Sequence, residues 1–159
     1  MNNEITLTEI VLPNDTNPLG ILLGGKLLHW MDIAAVICAQ NHAKDIVVTA
    51  AVFNVSFLLP IKLADVVLVK ANITRVFKTS LEIKVEVSKK ELKQIEYNKA
   101  AEAYFTFTLV SKELQLKAIK PNNKTDFDLA LVRRKINKVL SGSNKKEYKK
   151  LMQLINNNF

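Results

Sequence analysis

A stretch that reads as a long helix with apolar residues on every side dominates the first third of the chain. Residues 26–43 read KLLHWMDIAAVICAQNHA, which at ~1.5 Å per residue makes a helix of roughly 27 Å. A helix that is apolar all round is a buried one, so the rest of the chain is expected to surround it. Asp32 nevertheless stands in its middle, and a buried carboxylate is costly unless it is paired, hydrogen-bonded or used in a reaction.

The remaining chain up to residue 111 shows an alternation of apolar and polar residues that predicts β-strands. The predicted strands cover residues 4–12, 46–59, 65–77, 79–88 and 96–111. The links at 59–65 and 89–95 are short and typical of turns between antiparallel neighbours.

These elements predict an α+β fold in which one long antiparallel sheet is wrapped around the central apolar helix. One helix cannot cover both faces of such a sheet, but a sheet that curls around the helix would bury it on all sides. The edge strand left open by this arrangement favours a dimer that forms by edge pairing.

The chain is interpreted as a single domain over residues 1–159, with a core at 1–120 and a basic helical tail at 121–159. In the tail, a helix is expected from Asp126, capped by Thr125 and stopped by Gly142, and a second one at 144–156. Residues 112–159 hold 12 Lys and Arg against 4 Asp and Glu, which accounts for the whole formal charge of +8.

The basic tail is compatible with an anionic ligand, with nucleic acid or with a solvated surface. Nucleic acid is not favoured, because the tail has few aromatic residues for stacking and no recognisable nucleic-acid motif. A single Cys, the absence of a basic-then-apolar leader and the absence of an apolar run of ~18 residues predict a cytoplasmic protein that does not cross a membrane.

Several segments together resemble the hotdog-fold acyl-CoA thioesterases of the cytosolic acyl-CoA hydrolase type. They read NDTNPLG (14–20), GGKLLHWMD (24–32), AAVICAQNHA (34–43), VTAAVFNVSFLLP (48–60), ITRVFKTSLEIKVEV (73–87) and RRK (133–135). Two positions depart from the pattern: many relatives have Gly where Ala64 stands and Ser where Ala51 stands. The second departure affects a position expected near the ligand.

The resemblance implies hydrolysis of the thioester of fatty acyl-CoA to a free acid and CoA, without a metal or redox cofactor. It also implies that two hotdog subunits join their sheets into one, with active sites at the interface. Assembly into at least a homodimer, and further into a trimer of dimers, follows from the same resemblance.

The resemblance implies that Asp32 is the catalytic residue, either as a general base for water or as a nucleophile that forms an anhydride. The alternative is a structural Asp bonded to the backbone or to His29. Gly24 and Gly25 would donate their backbone N–H groups to the thioester oxygen, or form a plain turn before the helix. Asn17 would orient water or the thioester, or be an ordinary loop residue.

The resemblance also implies a set of residues that contact CoA, although a solvated surface role is open for each basic one. The expected contacts are Ala50, Ala51 and Val52 along the pantetheine, Thr79, Ser80 and Leu81 at the nucleotide end, Arg134 on a phosphate with Arg133 as its competitor, and Arg75 and Lys78 as added charge.

Two further hypotheses compete with a hydrolase. A hotdog enoyl-CoA hydratase is disfavoured because those enzymes pair Asp with a nearby His in a different motif, whereas this helix reads WMDIAA. The second competing hypothesis is a non-catalytic module that binds acyl-CoA or a nucleotide. Cys38 is expected to be a core thiol, and His29 and His42 have no metal-ligand spacing, so no metal site is expected.

Overall fold

The computed structural model describes residues 4–111, 115–120 and 123–140. The chain divides into two compact units, Met1–Ile119 and Lys120–Phe159. The first unit contains the strands Glu4–Ile10 (β1), Val47–Phe57 (β2), Val66–Val76 (β3), Ser80–Lys90 (β4) and Asn98–Leu109 (β5), and the helix Gly24–Ala43 (α1). The second contains the helix Lys124–Lys138 (α2).

The five strands form one antiparallel sheet in the order β1-β3-β4-β5-β2. The expectation of an α+β fold with one antiparallel sheet and a long central helix is confirmed. The link at 59–65 does not join sheet neighbours, however, because β3 pairs with β1 and β4 while β2 pairs with β5. Segment length alone could not distinguish this crossover from a hairpin.

The alternation in the strand sequences sorts the side chains onto the two faces of the sheet. On β4, for example, Leu81, Ile83, Val85 and Val87 are all fully buried. They belong to a core that β3, β5 and the buried side of α1 complete. The largest fully buried side chains are Phe105, Phe107, Met31, Ile73, Leu81 and Ile83.

Helix α1 is buried on one side only, which corrects the expectation of burial all round. Its buried residues are Leu27, Trp30, Met31, Ala34, Ala35, Cys38 and Ala39. Gly24, Gly25 and His29 are exposed, and Asp32 is half-buried. The apolar composition of the helix therefore exceeds what one copy of the sheet covers.

Strand β2 lies at the edge of the sheet, opposite β1. Its register against β5 shifts between Thr49 and Ala51 and again between Phe53 and Ser56. Asn54 has a left-handed backbone with φ 53°. Such bulges are frequent at sheet edges and beside active sites, where they redirect side chains.

The second unit begins its helix slightly earlier than expected. The cap is Asn123, whose side-chain oxygen accepts a hydrogen bond of 3.1 Å from the backbone N–H of Asp126. Thr125, the predicted cap, lies inside the first turn. The predicted stop at Gly142 and the predicted helix at 144–156 lie outside the described residues.

Within the described ranges, no helix is long and apolar enough to cross a membrane.

Candidate active site

The carboxylate of Asp32 meets the edge strand β2. Its Oδ1 accepts a hydrogen bond of 3.0 Å from the hydroxyl of Thr49, not from His29 or from the backbone. Asp32 is half-buried and Thr49 is exposed, so the pair lies at the open side of the protomer. A carboxylate oxygen has more than one lone pair, so the group retains capacity to accept a proton from water.

Pairing with β5 explains why Thr49 points to the helix. Thr49 pairs with Phe107 of β5, and residues paired across neighbouring strands lie on the same face of the sheet. Phe107 is fully buried in the core that α1 completes, so Thr49 faces α1 by the ordinary alternation that also buries Val47. The bulge follows at Ala50, the extra residue between Thr49 and Ala51.

Gly24 and Gly25 are the first two residues of α1 and both are exposed. The first N–H groups of a helix have no partner within the helix and carry the positive end of its dipole. The cap residue is Leu23, which offers no side-chain hydrogen bond. These N–H groups are therefore available to polarise a carbonyl oxygen of a ligand.

Asn17 lies in the loop before α1 and shapes that loop. Its side-chain oxygen accepts hydrogen bonds from the backbone N–H groups of Leu19, at 3.0 Å, and Ile21, at 3.2 Å. Within the described ranges, the amide nitrogen of its side chain has no hydrogen-bond partner. The loop role and a ligand role are compatible, because they use opposite ends of the same amide.

Asp15 fastens this loop to the first turn of α1. Its carboxylate pairs with the ammonium of Lys26 at 3.1 Å and accepts a hydrogen bond from the N–H of Leu12. Its backbone oxygen accepts from the N–H of Leu23 at 2.9 Å. The ammonium of Lys26, followed by the Leu12 N–H, holds the pKa of Asp15 below its ordinary value. Asn17 and Gly24 therefore belong to one anchored end of the protomer.

The length of α1 separates Asp32 from the first turn of the helix and from the Asn17 loop. Gly24 and Asp32 are eight residues apart on α1, which is about 12 Å at ~1.5 Å per residue. A base must come within about 3 Å of the proton it takes, directly or through one water. A carbonyl held at the first turn of one chain is therefore too far for Asp32 of the same chain.

The residues expected along the pantetheine occupy the free edge. Ala50 and Val52 on β2 are exposed and Ala51 is half-buried. They follow Thr49 directly along the strand. Their position leaves a backbone edge next to the Asp32 carboxylate.

The residues expected at the nucleotide end lie at the hairpin between β3 and β4. Lys78 is exposed, Thr79 is half-buried, and the Thr79 backbone oxygen accepts from the Leu109 N–H at 2.9 Å. The side chains of Ser80 and Leu81 are buried, and that of Leu81 is 0% exposed. A contact of Leu81 with a ligand would therefore use its backbone, because its side chain fills the core.

Arg75 is half-buried near the same hairpin, and its guanidinium lies 5.7 Å from the ring centre of Phe77. A stacked guanidinium keeps its charge. Arg75 and Lys78 therefore supply positive charge at the end of the sheet where β3 turns into β4.

The two arginines of α2 differ in their surroundings. Arg133 is buried and donates to the backbone oxygen of Asp126 at 2.8 Å. Arg134 is half-buried, and this burial lowers the pKa of its guanidinium. Arg133 is thus held by a contact inside its own helix.

Cys38 is a core thiol. Burial raises its pKa to about 12, which leaves almost no thiolate at neutral pH. In residues 4–111, 115–120 and 123–140, no group of three His, Cys, Asp or Glu side chains is arranged to hold a metal ion.

Thr49 is the site residue that sequence reasoning missed. A threonine in an alternating strand is a common β-former. The sequence does not indicate that its hydroxyl contacts a residue of α1. The spacing of 17 residues from Asp32 would have been informative only with a template for comparison.

Comparison with known proteins supplies such a template. A model of the thioesterase superfamily matches residues 19–96. The acyl-CoA thioester hydrolase YciA of Escherichia coli is 34% identical over 119 residues, which cover 73% of this chain and 90% of that protein. Mouse acyl-coenzyme A thioesterase 11 is 33% identical over 139 residues, covering 84% of this chain but only 23% of the mouse protein.

Solved structures show the same architecture. The acyl-CoA hydrolase of Staphylococcus aureus, solved in complex with butyryl coenzyme A and coenzyme A, is 27% identical with a TM-score of 0.80, covering 94% of this chain and 95% of that one. The hexameric thioesterase of Yersinia pestis is 33% identical with a TM-score of 0.62, covering 72% and 93%.

Three variants of the S. aureus protein were solved with alanine in place of an Asp, a Thr and an Asn. In that protein the Asn precedes the Asp by 15 residues and the Thr follows it by 17. Asn17, Asp32 and Thr49 have the same residue types at the same spacings.

Proposed function

The chain belongs to the thioesterase superfamily, and from this premise we propose that it hydrolyses the thioester of acyl-CoA. Water attacks the thioester carbonyl carbon, the carbon–sulfur bond breaks, and the products are a free acid and the thiol of CoA. The observation that carries the proposal is the Asp32–Thr49 pair, which lies beside a free sheet edge and shares its spacing with residues substituted in the S. aureus acyl-CoA hydrolase.

Asp32 acts as the general base for water or as the nucleophile. Thr49 holds one carboxylate oxygen, so the other is left to take a proton from water or to attack the thioester carbon. Both roles use the same position of the carboxylate. The reaction needs this carboxylate, water and hydrogen-bond donors, and we propose that it uses no metal or redox cofactor.

Gly24 and Gly25 form the proposed oxyanion hole. Their N–H groups hold the thioester oxygen, where negative charge develops in the transition state. The free amide nitrogen of Asn17 lies on the loop that Asp15 fastens to the same helix end, and it orients the thioester or the attacking water.

The active site is proposed to form between two copies of the chain. Because Gly24 and Asp32 of one chain are about 12 Å apart along α1, the oxyanion donors of one copy work with Asp32 of the other. Pairing of β2 edges would bring the open sides of two protomers together and cover the exposed part of α1. The hexameric Y. pestis relative supports further assembly into a trimer of such dimers.

CoA is proposed to lie from the helix end toward the β3–β4 hairpin. Ala50, Ala51 and Val52 border the pantetheine, and Thr79 with Ser80 meets the nucleotide end. The phosphates are neutralised by Arg75 and Lys78, and by Arg134 of a neighbouring subunit, because phosphate binding needs charged donors. The proposed setting is the cytoplasm, with fatty acyl-CoA as substrate and no nucleic-acid partner.

Release of free thiol from a series of acyl-CoAs tests the proposal. The wild type should turn over at least one chain length, and Asp32→Asn should lower kcat by about 10²–10⁴-fold, as expected for loss of a base. Asp45→Asn, the same change on a carboxylate outside the site, should keep wild-type rates. Equal rates for Asp32→Asn would exclude its catalytic role, and tight CoA binding without turnover would indicate a non-catalytic binding protein.

A further inference from the structure

Asp65 and Lys89 form a buried ion pair that the proposed reaction does not use. The ammonium of Lys89 lies 3.1 Å from Oδ2 of Asp65, and the two side chains are only 8% and 5% exposed, respectively. Taking two charges out of water is costly, and such a pair often adds little net stability. A role in fixing the nearby backbone explains the pair better than a role in stability alone.

Lys89 is suited to supply a lasting counter-charge. Its ammonium also lies 3.2 Å from the carboxylate of Glu91, which is 42% exposed. Burial by itself would lower the pKa of Lys89, but the hydrogen bonds to Asp65 and Glu91 raise it above its ordinary value. The ammonium therefore keeps its charge beside the Asp65 carboxylate.

The same oxygen of Asp65 fixes the turn between β2 and β3. Oδ2 accepts a hydrogen bond of 2.8 Å from the backbone N–H of Lys62, and the backbone N–H of Asp65 donates to the oxygen of Lys62 at 3.1 Å. Between them Ala64 has the left-handed φ of 66°, which a residue with a side chain keeps only where surrounding contacts impose it. The Asp65 carboxylate thus holds the Lys62 backbone in place.

The turn in its place holds the loop that begins at Asn17. Lys62 forms an antiparallel bridge with Ile21. The backbone N–H of Leu63 donates to the oxygen of Gly20 at 2.9 Å. Two neighbouring residues of the turn therefore fix two neighbouring residues of the loop.

Ile21 passes this constraint to Asn17 through two hydrogen bonds. The N–H of Ile21 donates to the side-chain oxygen of Asn17 at 3.2 Å, and the oxygen of Ile21 accepts from the backbone N–H of Asn17 at 2.9 Å. Both the backbone and the side-chain amide of Asn17 are thereby oriented. A continuous series of contacts runs from Asp65 through Lys62 and Ile21 to Asn17.

We propose that Asp65 is a positioning residue for Asn17, and that Lys89 supplies the counter-charge that keeps the Asp65 carboxylate in its buried place. This inference rests on the proposed hydrolysis of acyl-CoA, in which Asn17 orients the thioester or the attacking water. A displacement of an orienting group by ~1 Å can cost about 10²-fold in rate. Loss of the hydrogen bond from Lys62 to Asp65 therefore lowers kcat more than it changes KM.

Two double variants separate the hydrogen bond to Lys62 from the buried charges. Asp65→Asn with Lys89→Met keeps a side-chain oxygen for the Lys62 N–H, whereas Asp65→Ala with Lys89→Met removes it, and neither leaves a buried charge without a partner. In thiol release from an acyl-CoA that the wild type hydrolyses, the alanine form should lose kcat about tenfold at nearly unchanged KM. The asparagine form should retain kcat within about twofold of the wild type.

Hydrogen–deuterium exchange, read by mass spectrometry, tests the same inference without the reaction. Relative to residues 81–87 of β4, residues 17–22 should exchange about tenfold faster in the alanine form than in the asparagine form. A wild type that releases no thiol from any acyl-CoA would contradict the hydrolase, and the exchange of residues 17–22 would still decide whether Asp65 orders the Asn17 loop. Equal kcat of the two double variants in an active enzyme, or equal relative exchange, would overturn the positioning role of Asp65.

Discussion

The hydroxyl of Thr49 and Oδ1 of Asp32 lie 3.0 Å apart and join the edge strand β2 to the middle of α1. This hydrogen bond fixes the orientation of the carboxylate at the open side of the protomer. Since Asp32 is half-buried, a second copy of the chain placed against β2 would enclose it. The position of Thr49 thus relates the proposed catalytic carboxylate of Asp32 to the proposed interface.

Thr49→Val should lower kcat by about 10- to 100-fold, since a hydrogen bond to a charged group is worth ~1.5–3 kcal/mol and valine has a similar shape. KM should change little, because the carboxylate orientation matters most in the transition state. Thr49→Ser keeps the hydroxyl and should restore most of the rate. Steady-state kinetics with one acyl-CoA measures all three, and wild-type kcat for Thr49→Val would show that the bond is incidental.

Mixing two inactive variants should restore activity if each site takes Asn17 and Asp32 from different chains. In a mixed dimer of Asp32→Asn and Asn17→Ala, one site has both native residues and the other has neither. Random exchange should recover about a quarter of the wild-type rate. The measurement is thiol release after joint refolding, with each variant refolded alone as control. No recovery in verified mixed dimers would place both residues in one chain.

Most of the fold was predictable because its elements have clear periods. The five strands and α1 lie within a few residues of their predicted bounds, and the alternation on β4 correctly placed Leu81 and Val85 in the core. The prediction that β2 and β3 are antiparallel neighbours was wrong, since a short link carries no information about which strands pair.

The candidate site was only partly predictable. Asp32, Gly24 and Gly25 stand out because a carboxylate within an apolar helix and a glycine pair at its start are locally unusual. Thr49 lies on the helix-facing side of β2 by ordinary alternation, but the alternation does not say which residue of α1 its hydroxyl contacts. The burial of α1 within one chain was overestimated. The sequence does not indicate whether an apolar face is covered by the same chain or by another copy of it.

Ala64→Gly should stabilise the protein. Ala64 has φ 66°, a left-handed conformation that costs a side-chain-bearing residue about 1–2 kcal/mol, and glycine gives back part of this by its greater freedom when unfolded. The free energy of unfolding should rise by roughly 0.5–1 kcal/mol. Chemical denaturation measures it, with Ala118→Gly in a loop of ordinary backbone as a control that should lose stability. A loss for Ala64→Gly would mean that the turn is not strained.

Cys38 should resist alkylation in the native protein. Because burial raises its pKa to about 12 from 9.0, its thiolate population near pH 8 is about a thousandfold below that of an ordinary cysteine. Incubation with iodoacetamide followed by mass spectrometry should find almost no adduct, and full modification after addition of guanidinium chloride. Rapid stoichiometric labelling without denaturant would contradict the burial of this side chain.

The Asp15–Lys26 pair should make stability depend on pH in the acid range. The Lys26 ammonium, and then the Leu12 N–H, lower the pKa of Asp15 below its ordinary value of 3.8. A carboxylate whose pKa is lowered by folding stabilises the protein above its unfolded pKa, and this contribution is lost as the pH falls through the folded pKa. The wild type should therefore lose stability from about pH 4 downward.

Lys26→Met removes the ammonium but keeps an apolar side chain beside Trp30, so it should flatten this acid loss. Lys70→Met makes the same charge change on β3, away from Asp15, and should keep the wild-type slope. Urea unfolding at several pH values between about 2.5 and 6 gives the three slopes. If the free energy of unfolding falls equally with pH in Lys26→Met and the wild type, the Asp15–Lys26 pair does not hold the Asn17 loop. Protonation of the Asp15 carboxylate would then not destabilise the fold.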